Sequence, residues 1–141
     1  MRISLNPANP IYMLILLICT TGLISCNPLS FGGDNVTAVK KEMEEVRRMI
    51  QMEIGESQAD DESYCRALAK GAKPCGGPWK YLPYSTMESD EVKLRKLAER
   101  YYSLNQKYNE LTEQYSDCMF ISKPPVSLVD GRCKIVRYER H

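Results

Sequence analysis

Histidine is nearly absent from this chain of 141 residues: the single one is His141. That removes most histidine-based catalysis and most zinc sites before any motif is sought. Charge imbalance is missing too, since 19 Lys+Arg stand against 18 Asp+Glu for a net +1. A dedicated nucleic-acid binder normally shows a strongly basic face, so nucleic acid is excluded as a partner. The chain holds no G-x-S-x-G, no H-E-x-x-H, no Walker-type glycine loop and no C-x-x-C, the short patterns that would announce hydrolase, metalloprotease, phosphate-binding or thiol-redox chemistry. Adjacent acids such as Glu44–Glu45 and Asp60–Asp61 diverge on a helix and are expected to be solvated. There is no internal repeat and no low-complexity tract. No enzyme, cofactor or metal is therefore expected, and the length leaves room for one domain of ~100–200 residues at most.

What is present begins with an export pattern. Arg2 precedes the apolar run Ile11–Cys19, which is followed by Thr20-Thr21-Gly22 and then Leu23-Ile24-Ser25-Cys26. A charged start, a short apolar middle and a small residue before a cut site read as a secretory signal peptide. The run is shorter than the ~20 residues a spanning helix needs. Leu23-Ile24-Ser25-Cys26 resembles the bacterial lipobox. The resemblance implies a diacylglyceryl group on the Cys26 sulfur and an acylated N-terminus, carrying chains such as palmitate, after cleavage. Each buried CH₂ contributes ~0.8 kcal/mol, so several acyl chains hold a domain on a membrane almost permanently. Asn27 follows the cysteine where an Asp would signal inner-membrane retention. By that analogy a bacterial outer membrane is favoured, with the protein facing the periplasm or the cell exterior. The expected organisation is a signal peptide at 1–25, a lipidated tether at 26–35 and one disulfide-stapled domain at 36–141.

Within that domain, Val36, Val39, Met43, Val46, Ile50 and Ile54 recur at helical spacing, with Asp34 or Asn35 as a cap and Gly55 as a stop. Leu94, Leu97, Tyr101, Leu104, Tyr108, Leu111 and Tyr115 alternate steps of three and four. Ser89 is the expected cap, and Asp90 and Glu91 sit where the helix dipole favours anions. About 26 residues at ~1.5 Å each predict a helix of roughly 39 Å. Residues 55–88 are not helical in character. An acidic block (Glu53, Glu56, Asp60, Asp61, Glu62) precedes a basic one (Arg66, Lys70, Lys73, Lys80); the two either pair with each other or each face solvent, and solvated faces are the favoured expectation. Val126–Val129, Asp130-Gly131 and Arg132–Val136 carry a β-hairpin signature, because Asp-Gly supplies the positive φ of a tight turn. The expected fold is thus mainly α: an antiparallel pair of amphipathic helices, a disulfide-held loop and a C-terminal hairpin.

Cys65, Cys75, Cys118 and Cys133 remain once Cys19 and Cys26 are set aside. An even number in a small exported domain predicts two disulfides, with three possible pairings. Cys65–Cys75 with Cys118–Cys133 is favoured, because each closes a local loop. The spacing matches no zinc knuckle.

The stretch Cys75-Gly76-Gly77-Pro78-Trp79-Lys80-Tyr81-Leu82-Pro83-Tyr84-Ser85, with Ser116-Asp117-Cys118, Pro124-Pro125 and Val129-Asp130-Gly131-Arg132-Cys133, resembles a group of small bacterial secreted proteins and lipoproteins. They share C-G-G-P-x-x-Y-L, a Tyr/Asn-rich helix and a closing D/N-G-x-C. The resemblance covers about half of the chain and implies an exported, disulfide-bonded domain without assigning an activity. Trp79, Tyr81 and Tyr84, with Lys80 beside them, either plug one end of the helix pair or form a small aromatic platform for glycan or protein recognition; rings of this kind are frequent binding anchors. The expected function is a lipid-anchored cell-envelope protein, attached to the membrane through Cys26, that holds another envelope protein without catalysis. The alternative is a periplasmic inhibitor or immunity-type protein that blocks an envelope hydrolase with the loop from Gly71 to Tyr84.

Overall fold

The computed structural model describes residues 33–136. The expected signal peptide and the lipidation site Cys26 therefore lie outside the described residues. Two helices and four strands follow one another as α1 (Gly33–Ile54), β1 (Cys65–Lys70), β2 (Lys80–Ser85), α2 (Glu91–Leu111), β3 (Val126–Val129) and β4 (Arg132–Ile135). The strands form two separate antiparallel sheets, β1–β2 and β3–β4.

This overturns the mainly α expectation of an antiparallel helix pair with one hairpin. The stretch between the helices holds a second sheet, which makes the domain α and β in mixture. Its strands were hidden by their composition. Arg66, Lys70 and Lys80 stand on one face with Leu68, Leu82 and Tyr84, so charged residues interrupt the apolar side of the alternation. Pro83 inside β2 also argues against a strand, since proline cannot donate to a ladder.

One core joins α1, the β1–β2 sheet and α2. Val46, Ile50 and Ile54 from α1 meet Leu68, Tyr84 and Leu94, with Leu82, Leu97 and Tyr101 packed around them. A smaller core of Ala59, Cys65 and Cys133, lined by Val126 and Leu128, lies between the two hairpins. Residues three apart on a strand point to opposite faces, so β1 sends Leu68 to the first core and Cys65 to the second.

α1 stops as expected at Gly55, whose φ of +59° lets its N–H close back on the Gln51 carbonyl. The cap of α2 is Asp90, which accepts from the Lys93 N–H at 3.0 Å. The expected cap, Ser89, is instead buried with its Oγ unbonded among the described residues. α2 also ends sooner than its stripe implies. The Thr112 hydroxyl and N–H both return to the Tyr108 carbonyl, and Glu113 turns to φ +48°. Tyr115, the last member of the expected stripe, is left 91% exposed. The β3–β4 turn is as expected, with Asp130 at φ +53° and Gly131 at +73°.

Two disulfides form, Cys65–Cys133 and Cys75–Cys118, across sequence separations of 68 and 43. The favoured local pairing is thereby corrected. A disulfide needs Cα atoms within ~4.4–6.8 Å, yet β1 runs away from Cys65 at ~3.3 Å per residue and delivers Cys75 to the far end of the hairpin. The acidic and basic blocks do not pair with each other either. Glu53 joins Lys93, Glu56 joins Arg132, and Lys73 joins Asp117. Lys70 and Lys73 are buried rather than solvated.

Candidate functional site

The Thr86 N–H donates to the Tyr64 carbonyl at 3.0 Å, one step beyond the pair Cys65↔Ser85. Antiparallel ladders alternate bonded and non-bonded pairs, so this bond sets the phase for the whole hairpin. Arg66↔Tyr84 and Leu68↔Leu82 fall on bonded positions, and Ala67↔Pro83 falls between them. Pro83, which has no N–H to give, occupies a position where none is needed. Its carbonyl points outward and accepts from Ser57 Oγ at 3.2 Å. By the same phase, the N–H and C=O groups of Ala67 and Ala69 point away from β2, and no described residue bonds them from the outer side.

Beside that edge lies a groove of about 590 Å³. Ala67, Leu68 and Ala69 line it from β1, and Ala98, Tyr102 and Ser103 line it from α2. Ala69 is exposed, and Ala67 and Ala98 are half-buried. Arg66, Glu91, Arg95, Glu99 and Lys123 supply charge around it. Glu91 accepts from the Tyr84 hydroxyl at 3.2 Å and lies 3.7 Å from Arg95. Burial first, and then the Glu91 carboxylate, push the Tyr84 phenol above its ordinary value of 10.0. Arg66 is steadied by the Ser63 and Cys65 carbonyls, at 2.6 and 2.9 Å.

One end of the hairpin is held by a clamp on its connecting loop, residues 71–79. Asn105 and Asn109 are buried one turn apart on α2. Asn105 Oδ1 accepts from the Ala72 N–H at 2.9 Å, and Asn109 Nδ2 donates to the Ala72 carbonyl at 2.8 Å. Both backbone groups of Ala72 are thereby satisfied, as a neighbouring strand would satisfy them. Lys73, its ammonium 5.6 Å from the Trp79 ring centre, donates to Asp117 at 3.1 Å and to the Met119 carbonyl at 2.8 Å. The Met119 N–H, and after it Lys73, hold the Asp117 carboxyl below its ordinary 3.8. Cys75–Cys118 fastens the same two segments.

The four residues of the expected aromatic platform are not brought to one surface. Trp79 is 41% exposed and stands over Gly71, while Tyr84 lies in the main core. Tyr81 alternates to the face opposite Lys80 and Tyr84. The sequence reading missed the groove because its residues come from β1, α2 and the segment after it, far apart in the chain, and because the open edge at its side is alanine backbone, which carries no chemical signature. It also missed the clamp, although two asparagines four apart beside an apolar stripe were a visible signal. Lys70 is likewise drawn inward, 4.9 Å from the Tyr101 ring centre, and burial pushes its amine below the ordinary 10.5.

Among the described residues, no three His, Cys, Asp or Glu side chains are placed to hold a metal ion, and no helix is long and apolar enough to cross a membrane. Compared with protein-family models, curated proteins and solved structures, the chain matches none.

Proposed function

We propose that this protein is a non-catalytic interaction module of the bacterial cell envelope, held to a membrane, preferentially the outer one, through lipid on Cys26. Its task is to hold another envelope protein. The observation that carries this reading is the groove: a strand edge that no described residue pairs, an apolar lining in which Ala67, Ala69 and Ala98 leave room, and a rim of both charge signs. That is a surface for contact. Glu91 and Glu99 stand about 12 Å apart along the helix axis, too far to serve as an acid pair on one small bond. Two disulfides fit an oxidising compartment, in keeping with the export pattern at 1–25 and the resemblance of 65–133 to small exported proteins.

A photo-cross-linking residue at Ser103, in the full chain attached to its own membrane, tests the reading. One discrete protein adduct is expected from that position and none from Lys41 on α1. Equal labelling from both positions, or none from Ser103, would contradict it.

The rigidity of the 71–79 loop favours a second reading, in which the loop blocks an envelope hydrolase. Inhibition within a panel of peptidoglycan hydrolases, lost on Cys75→Ser, is the expected outcome there. A panel without inhibition removes it.

A further inference from the structure

We infer that the β1–α2 groove takes an extended segment of its partner protein, which adds to β1 as a third strand and carries an acidic side chain toward the basic rim. This rests on the interaction-module reading and names the chemistry of the occupant. Strand addition is a recurrent mode of peptide recognition: main-chain hydrogen bonds supply affinity and alternate side chains supply choice.

The two edges of the sheet are treated differently, and that difference points to β1. Native sheets blunt their edges with proline, charge or a covering segment. β2 is blunted in this way, by Pro83 and by Ser57 bonding the Pro83 carbonyl. β1 carries charge at Arg66 and Lys70, but between them Ala67 and Ala69 turn two donors and two acceptors outward with no described residue on them. The side chains beside those groups are methyls, so a second backbone can approach to the ~4.8 Å of a sheet. α2 stands across the groove with Ala98 and Ser103, also small. Residues 66–69 line it, and at ~3.3 Å per residue that length pairs with about four residues of an added strand.

The rim selects charge. Arg66, Arg95 and Lys123 face Glu91 and Glu99, and Glu91 is already engaged by the Tyr84 hydroxyl and Arg95. Lys123 has no ion pair or hydrogen bond with any described residue. The excess cation asks for a carboxylate on the incoming segment.

The probe is a displayed library of random linear peptides, selected on the full chain with its disulfides intact. Selected peptides are expected to be enriched in Asp or Glu and to lose roughly tenfold in affinity or more on Ala69→Pro, the scale of one or two hydrogen bonds. Ala69→Pro removes an outward N–H and spares the ladder, as Pro83 does in β2, so near-ultraviolet circular dichroism should be unchanged. Ser103→Trp, an exposed change that fills the groove from the helix side, should block the same peptides and guards against a folding defect in the proline variant. The phase of N-methylation in the peptide is the decisive readout. Methylating every second amide should abolish binding in one phase and leave it within about threefold in the other, since alternate amides alone face β1.

Equal loss in both phases, no enrichment of binders, or binders indifferent to both variants would overturn strand addition. A concentration-dependent dimer of the chain, dispersed by Ala69→Pro, would give the edge to a second copy and overturn it as well. If strand addition fails while the Ser103 cross-link still finds one envelope protein, the interaction-module reading stands and only the mode of binding is lost.

Discussion

Gly71 marks the point where β1 leaves the sheet and enters its clamped loop. Its φ is +81°, and a Cβ there would come within 2.8 Å of Trp79 Cδ1 and 2.9 Å of Asn105 Oδ1. An alanine meets both penalties at once, since a side chain disfavours that backbone and Asn105 cannot retreat without releasing the Ala72 N–H. Gly71→Ala should cost about 1–3 kcal/mol, read as a lower urea midpoint with an unchanged slope. Neutral stability would mean that the clamp is looser than its geometry. Asn105 and Asn109 explain why polar residues sit inside a helix interface at all. Each satisfies a backbone group that burial would otherwise leave unpaired, and an unpaired group is costlier than the bond is favourable.

At the scale of elements, the two helices are fastened where their ends meet. Glu53, near the end of α1, accepts from the Asp90 N–H at 3.0 Å and pairs with Lys93 in the first turn of α2. The Lys93 hydrogen bond first, and the Asp90 N–H next, hold the Glu53 carboxyl below its ordinary 4.5. The folded chain therefore favours the ionised form. This contribution is fully present above the unfolded value and is lost as pH falls through the lower folded one. Glu53→Gln should accordingly unfold earlier than the parent at neutral pH, with the gap closing below pH 4.5; a gap independent of pH would assign the loss to packing. The helices and the β3–β4 hairpin were legible because their cues are local: an apolar period, a glycine stop, an Asp-Gly turn. β1 and β2 were not, because Lys70 hides its charge against Tyr101 and Pro83 takes the one kind of ladder position that tolerates it.

For the whole molecule, long-range closure replaces the local staples that spacing favoured. Cys65–Cys133 ties the first hairpin to the second, and Cys75–Cys118 ties the clamped loop to the segment after α2. Loops of this length correspond to about 4 kcal/mol each in the chain-entropy picture. The two bonds differ in shelter. Cys133 is 2% exposed and Cys65 is 7% exposed, whereas Cys75 and Cys118 are both exposed. Mild thiol reduction followed by alkylation should label Cys75 and Cys118 first, since exposed disulfides are the labile ones. The reverse order would contradict the burial of the second core. The pairing could not be read from spacing, as it depends on a hairpin that the composition concealed. The groove was equally illegible, because what makes it a site is the direction of two alanine amides.

That direction is the central claim, and amide hydrogen exchange on the free, full-length chain reads it without a partner. Ala67 and Ala69 should exchange markedly faster than Leu68, whose N–H lies in the ladder with Leu82. Protection of Ala67 and Ala69 equal to that of Leu68 would mean that the edge of β1 is already covered, and it would contradict the account.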